Sequence, residues 1–227
     1  MSYLLRLVLP DRPGALGAVA SALGLAGADI LSVDVIERSA GKATDDLVVE
    51  LPADRLADTL VSAAATVAGV QVESIRPYAG QLDPHRELEL LESLAREPQS
   101  SLPLLADGVA RVFRAGWALV LSEPVAGDAV DGKGQVLARG GAAPELHTLA
   151  MPWWPPGPAR QLDAAAEWAP ADWDRLGTEL AVAPFGKAAL LVGRPGLRWL
   201  PSELVRLAHL AAIAASVTPP APVGPGP

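Results

Sequence analysis

The chain has 227 residues, half of them apolar, with a formal net charge of −8 and a pI near 4.9. Its 18 Lys and Arg against 26 Asp and Glu leave no basic footprint for a phosphate backbone, which argues against nucleic acid as a direct partner. No cysteine is present, so disulfides, thiolate nucleophiles, cysteine-held zinc and iron–sulfur clusters are excluded together, and histidines at 85, 147 and 209 are too scattered for a His-rich metal site.

The length suits two domains of roughly 100 residues each. The first residues lack the charged opening of a targeting segment. The apolar run 204–217 is interrupted by Arg206 and His209 and is too short to span a bilayer. A cytoplasmic protein with no membrane partner is expected.

Tyr3 to Leu9 is β-prone and predicts a strand. From Gly14 to Leu25, Leu16, Val19, Ala20 and Leu23 follow the spacing of one helix face, and Gly24 and Gly27 end the run. Ile30 to Ile36 alternates as a second strand. Ser39 to Lys42 is a turn and Leu47 to Leu51 a third strand. Pro52-Ala53-Asp54 opens a second helix, with Asp54 as its cap, and Leu56, Leu60, Val61, Ala64 and Val67 as its stripe. Gly69 stops it and Val70 to Ile75 is a fourth strand. The acids Asp45 and Asp46 read as exposed charge at a strand start. The resulting βαββαβ order in under 80 residues is the ferredoxin-like split unit, one antiparallel sheet with both helices on one face. The other face needs a partner or enough polar side chains to stay wet.

The junction Leu9-Pro10-Asp11-Arg12-Pro13-Gly14 carries the most chemistry. Pro13 sits near the first helical position, and Gly14, without a Cβ, lets another molecule approach the backbone. The helix start offers unpaired N–H groups and a positive dipole end to a carboxylate, and Asp11 offers an acceptor to an ammonium. These features suit a free amino acid. The same residues also make an ordinary capped turn from strand to helix, and the residues alone do not choose between the two.

The stretch "LVLPDRPGALGAVASALGLAGADI", Leu7 to Ile30, resembles an ACT domain, a small amino-acid-sensing regulatory module. The Asp-Arg-Pro-Gly-Ala-Leu turn, the helix and the Gly-Ala-Asp-Ile start of strand 2 carry the resemblance, which covers roughly residues 3–77 together with the element order. It implies two copies side by side, most simply a homodimer, with ligand between the turn of one copy and the strand 2 start of the other. The implied ligand-binding set is Asp11, Arg12, Pro13, Gly14, Ala15, Leu16, Asp29 and Ile30. Leu9 stands where some amino-acid-binding members carry a polar side chain, and Asp29 stands where serine-binding members commonly have an amide. Two acids and no amide favour the ammonium end of a ligand and repel its carboxylate.

Residues 79–86 read as a linker. Glu87 to Glu97, with Leu88, Leu91, Leu94 and Ala95 on one stripe, and Leu102 to Phe113 are predicted helices. Trp117 to Leu121 is a buried strand, and Val136 to Ala138 another. Asp128-Ala129-Val130-Asp131-Gly132 lacks the middle acid and closing Glu of a calcium loop and reads as a hairpin turn. Residues 144–175 are rich in proline and tryptophan and resist assignment. Leu180 to Phe185 and Ala188 to Gly193 form a hairpin around Gly186-Lys187, and a last helix runs from Pro201 to about Ser216. Residues 217–227 form a Pro/Gly-rich tail expected to be disordered.

Residues 87–216 resemble a GAF domain, a small-molecule sensor fold with a mixed sheet flanked by helices; "ELAVAPFGKAALLVGRPGLRWLPSELVRLAHLAAIAASV" carries most of the likeness. The resemblance implies a second pocket at the central strands and the variable loop, here Trp117, Trp153, Trp154 and Trp168. An aromatic cage is one role for these rings; packing a long loop onto the sheet is the commoner one. Without cysteine, bilin attachment by the usual route is excluded, and His147 alone is a weak haem ligand.

No Gly-x-Ser-x-Gly elbow, Walker A loop or His-Glu-x-x-His occurs, and Gly14 to Gly17 lacks the Rossmann spacing. The expectation is an α+β chain. A ferredoxin-like ACT domain at 1–78 is followed by a GAF-like α/β sandwich at 87–216. Its expected role is regulatory and non-catalytic, with an amino acid as ligand, a homodimer as the working state, a protein partner downstream, and no metal or cofactor. The alternative is a structural dimerisation module without ligand.

Overall fold

The computed structural model describes residues 1–78, 85–124 and 132–219. The chain divides into two units, Met1–Asp83 and Pro84–Pro227. The first contains β1 (Ser2–Pro10), α1 (Ala15–Leu25), β2 (Asp29–Ser39), β3 (Lys42–Glu50), α2 (Asp58–Ala65) and β4 (Gln71–Pro77). The order is the expected βαββαβ. The four strands lie as β2-β3-β1-β4, with every neighbouring pair antiparallel. Leu5, Leu7 and Leu9 of β1 and Leu47 and Val49 of β3 alternate onto one face. There they meet Val19 and Leu23 of α1 and Leu60 and Ala64 of α2.

Three details differ from expectation. First, β3 starts at Lys42 instead of Leu47, because its pairing with β1 runs unbroken from Ser2–Glu50 to Pro10–Lys42. Second, α2 starts at Asp58. The Arg55 N–H closes a turn on the Pro52 carbonyl, Leu56 is exposed, and Asp54 caps nothing, the N-cap being Ala57. Third, Asp45 and Asp46 are not exposed charge: they are 2% and 1% accessible. The longer β3 carries both into the sheet. On the face away from the helices Asp46 takes a two-point contact from Arg6, Nε to Oδ1 at 2.6 Å and Nη2 to Oδ2 at 2.9 Å. Leu4 and Val48 on that same face are also buried, so of the two alternatives left for it, a partner or a wetted surface, it is not the wetted one along β1 and β3.

The second unit contains α3 (Arg86–Arg96), α4 (Ser101–Val112), β5 (Trp117–Ser122), β6 (Lys133–Gly141), β7 (Thr148–Ala150), β8 (Arg160–Leu162), α5 (Ala171–Arg175), β9 (Thr178–Phe185), β10 (Ala188–Pro195) and α6 (Pro201–Val217). Its sheet runs β7-β6-β5-β10-β9-β8. Every described pair is antiparallel, so the mixed sheet implied by resemblance is corrected. A two-residue link such as that between β9 and β10 permits no other pairing.

The central strands are buried on both faces, which is why Trp117 to Leu121 reads as an unbroken apolar run. Ala118, Val120, Leu190 and Val192 face Leu94, Leu105 and Leu207 of the helices. Trp117, Leu119, Leu121, Leu180 and Leu191 face Met151, Trp153 and Trp173. The α3 stripe is rotated from the expected one: Leu90 and Leu94 are buried and Leu88 is exposed. At Gly193 a Cβ would stand 2.2 Å from the Trp117 ring, so only glycine lets that indole lie flat on β10. Arg194 ties β10 to α6. It reaches both oxygens of Glu203 at 2.8 and 2.6 Å, donates to the Leu197 carbonyl at 2.6 Å, and stacks on Trp199 at 4.0 Å. Glu203 also accepts the Leu200 N–H at 3.0 Å and so caps α6, as a residue at the third helical position can.

Of the boundary expectations, linker residues 79–84, the loop 125–131 of the proposed hairpin turn, and tail residues 220–227 lie outside the described residues. Arg86 already belongs to α3, and Val217 is the last residue of α6.

Candidate functional site

The junction after β1 is built around an uncapped helix. Gly14 is the N-cap of α1, with a φ of 85°, and no side chain caps the helix or places an acid in its first turn. Asp11 is therefore not spent as a cap, and the ordinary capped turn is not what forms. Pro13 lies outside the helix, which begins at Ala15. Instead the Asp11 N–H donates to the Gly41 carbonyl at 2.9 Å, tying the turn to the β2–β3 hairpin, while the Arg12 N–H donates to Pro10 at 2.9 Å. Asp11, Arg12, Pro13 and Gly14 are exposed, Ala15 is buried and Leu16 half-buried.

Two residues absent from the sequence-derived set complete this corner. The Arg38 Nε lies 3.8 Å from the Asp11 Oδ1, with both side chains substantially exposed. Arg38 pairs with Ala43 and so points to the helix-covered side of the sheet, where Ala43 joins Ala15, Val19 and Leu9 in the core. One alternation further along β3 stands Asp45. It pairs with Leu7 on one side and Val35 on the other, on that same side of the sheet. Its Oδ1 is buried without a hydrogen-bond partner. Burial pushes the Asp45 carboxyl above its ordinary value of 3.8; Asp46 and Asp11 add to the rise and Arg38 opposes it.

The corner thus holds a helix N-terminus without a side-chain cap, whose Ala15 N–H donates to the Arg12 carbonyl at 3.2 Å, the cations Arg12 and Arg38, and two acids, Asp11 exposed and Asp45 buried. A helix N-terminus with an arginine receives a carboxylate, and paired acids receive an ammonium. The objection that two acids repel a carboxylate is met by Arg38. Arg38 lies far from the turn in sequence, and nothing around it marks it as part of that site. Asp45 had a signal: alternation back from Val49 through Leu47 places it on the core side once β3 is carried past Leu47.

Asp29 and Ile30 are not brought to this corner within one chain. Asp29 pairs with Glu50 at one end of the sheet, whereas Asp11 follows Pro10, opposite Lys42, at the other. Asp29 is exposed and Ile30 half-buried.

In the second unit Trp117, Trp153, Trp154 and Trp168 do gather on one sheet face, joined by Trp173. Trp117 and Trp173 stand 4.9 Å apart between ring centroids, Trp168 and Trp173 6.2 Å, and Trp153 and Trp168 5.9 Å. Trp117, Trp153, Trp168 and Trp173 contact one another in tilted and edge-on pairs, as aromatic residues in a core do, and Trp154 packs partly buried against the same cluster. His147 is exposed.

Among the described residues no helix is long and apolar enough to cross a membrane. No curated protein matches the sequence. Among solved structures the chain is similar to the GAF domain of an Acinetobacter phosphoenolpyruvate-protein phosphotransferase, at 14% identity and TM-score 0.42, covering 60% of this chain and 93% of that one. It is also similar to the GAF domain of the Coxiella burnetii enzyme of the same name, at 14% identity and TM-score 0.43, covering 60% and 94%. A formyltetrahydrofolate deformylase from Pseudomonas putida matches at 14% identity and TM-score 0.29, covering 44% of this chain and 39% of that one. The family model for the ACT domain matches residues 3–69, which span β1 through α2. The corner formed by Asp11, Gly14, Arg38 and Asp45 therefore belongs to an ACT domain.

Proposed function

We propose that this chain is a regulatory sensor. Its ACT domain binds a free amino acid at the β1–α1 corner, and its second unit passes the state of that site to a partner protein. The observation that carries the reading is the uncapped start of α1 beside Asp11 and Arg38, since a helix end left without a side-chain cap is free to receive a ligand carboxylate.

The working unit is a twofold pair of chains joined along β2. That edge strand exposes Leu31, Val33 and Val35 at 39%, 39% and 48% accessibility, an apolar edge that a solitary domain usually avoids. Antiparallel joining of two β2 strands brings the Asp29 end of one copy to the Arg38 end of the other. Asp29 and Ile30 then serve the corner of the second copy. In the second unit the mutual packing of the tryptophans favours their commoner role, holding the long loop on the sheet, and the unit acts through its surface.

Two measurements test this. Light scattering at micromolar concentration should give a dimer, and a monomer with and without amino acids counts against the reading. Thermal shift across the twenty amino acids should find one that stabilises, with saturation near a hundred times the dissociation constant adding about 2.7 kcal/mol. No shift with any of them leaves the structural dimerisation module in its place.

A further inference from the structure

The side chains of β2 read nearly the same in both directions. From Asp29 to Glu37 the order is acid, Ile, Leu, polar, Val, polar, Val, Ile, acid, centred on Val33. Turning such a strand end for end about Val33 sets like against like: Ile30 meets Ile36, Leu31 meets Val35, Ser32 meets Asp34, and Val33 meets itself. The pattern lies on an edge strand, with Leu31, Val33 and Val35 exposed. Between irregularities at Leu31 and Ile36, the segment 32–35 pairs evenly with β3: Ser32 with Val48, Val33 with Leu47, Asp34 with Asp46 and Val35 with Asp45. Val33 and Val35 therefore face the helix side of the sheet, where Leu47 belongs to the core, and Ser32 and Asp34 face the other side.

We propose that two copies of this chain join β2 to β2 in a single register, with the twofold axis passing through a Val33–Val33 pair. The inference rests on the twofold pairing proposed above and adds what that reading leaves open, namely which residues meet. An axis normal to the sheet sets residues of the same facing opposite one another, so each residue's counterpart shifts only two positions at a time. A shift one way puts Asp34 against Asp34 and Leu31 against Glu37. A shift the other way puts Ile30 against Asp34 and Asp29 against Val35. Like charges directly opposite one another, and carboxylates set against aliphatic side chains, are unfavourable. The Val33 register has neither along its middle. Its aliphatic side chains meet aliphatic side chains, and the Ser32 hydroxyl, a donor, stands opposite the Asp34 carboxylate, an acceptor. Its like-charge pair, Asp29 with Glu37, falls at the two rims, where Asp29 is exposed, Arg38 adjoins Glu37, and salt screens the repulsion. Self-complementarity about one residue is what an isologous interface requires and what an edge strand of a solitary domain does not.

The chain contains no cysteine, so single cysteines report the register without background. Val33→Cys, Asp34→Cys and Ser32→Cys are made in the full chain, oxidised mildly and run on a gel without reductant, with light scattering of wild type alongside. Opposite residues of an antiparallel pair have Cα atoms about 4.5–5.5 Å apart, within disulfide reach, whereas residues offset by two stand about 7–8 Å apart, beyond it. The expected result is a shift of Val33→Cys from 23.4 kDa to twice that mass. Asp34→Cys and Ser32→Cys should each stay at the monomer position alone and cross-link when mixed before oxidation. Cross-linking of Asp34→Cys with itself, or of Ser32→Cys with itself, moves the axis and overturns the register while leaving the twofold reading intact. A dimer by light scattering with no cross-link in any variant or mixture overturns the β2 joint. Should Val33→Cys fail to fold or to oxidise, the mixture decides: its cross-link upholds the axis at Val33, and its absence overturns it. A monomeric wild type ends the twofold reading and this inference together.

Discussion

Arg38, at the far end of β2, stands 3.8 Å from Asp11, in the turn before α1, and so adds a second cation to a helix start where the turn itself supplies Arg12. Because both side chains are substantially exposed, the pair itself contributes little to stability. Arg38→Gln should therefore melt within about 0.5 kcal/mol of wild type, as surface changes usually do. Calorimetry should nevertheless find its amino-acid affinity reduced by about tenfold or more, the effect of a lost charge-assisted contact. A large loss of stability would show Arg38 to be structural.

Asp45 makes the stability of the empty protein depend on pH in a definite direction. Its carboxyl is raised above 3.8 in the folded chain, so between 3.8 and the raised value the folded state binds more protons than the unfolded one. The stabilising contribution is complete below 3.8 and is lost as pH rises through the folded value. Asp45→Asn removes this dependence. Paired melts across the acid range should show the variant gaining on wild type as pH rises, with the advantage vanishing below 3.8.

Gly14 holds α1 open with a φ of 85° and empty space where a Cβ would go. Gly14→Ala meets no clash, so its cost is the backbone strain alone, about 1–2 kcal/mol. Urea unfolding should report a lower midpoint with an unchanged slope. A neutral result would mean the turn relaxes to another conformation, and the ligand affinity of the variant would then report on that change.

Arg194 and Glu203 are both buried and hold the start of α6 against β10. Removing one partner strands the other charge. Arg194→Met and Glu203→Gln should each destabilise the second unit by about 3–5 kcal/mol. Their double variant should cost less than the sum of the two, which a double-mutant cycle reads directly.

Gly193→Ala drives a methyl group into the Trp117 indole, 2.2 Å away. Displacing Trp117 disturbs its contact with Trp173, so the expected loss is about 1–3 kcal/mol, the usual range for overpacking. Tryptophan fluorescence should shift toward that of a solvated indole as the cluster opens. An unchanged spectrum and melt would show the loop packing to be looser than the contacts indicate.

Local chemistry was legible in the chain before any coordinates. Alternation and helical spacing place β1, α1, β2 and β4 and the hairpin of β9 and β10, because these patterns depend on neighbours in sequence. Pro10, Pro13 and Gly14 mark the junction for the same reason: their backbone limits are intrinsic. What needed tertiary structure was everything set by partners across strands. The length of β3, and with it the burial of Asp45 and Asp46, follows from unbroken pairing with β1, since a polar start such as Lys42-Ala43-Thr44-Asp45-Asp46 has too little alternation to declare itself a strand. The residue Arg38 joins the corner only because β2 and β3 fold back on each other and return it to the turn. The tryptophans could cage a ligand or fill a core, and only their mutual distances speak to that choice. Sequence carries the conformational preferences of each short segment; the sheet decides which distant charges meet, and there the chemistry of the site resides.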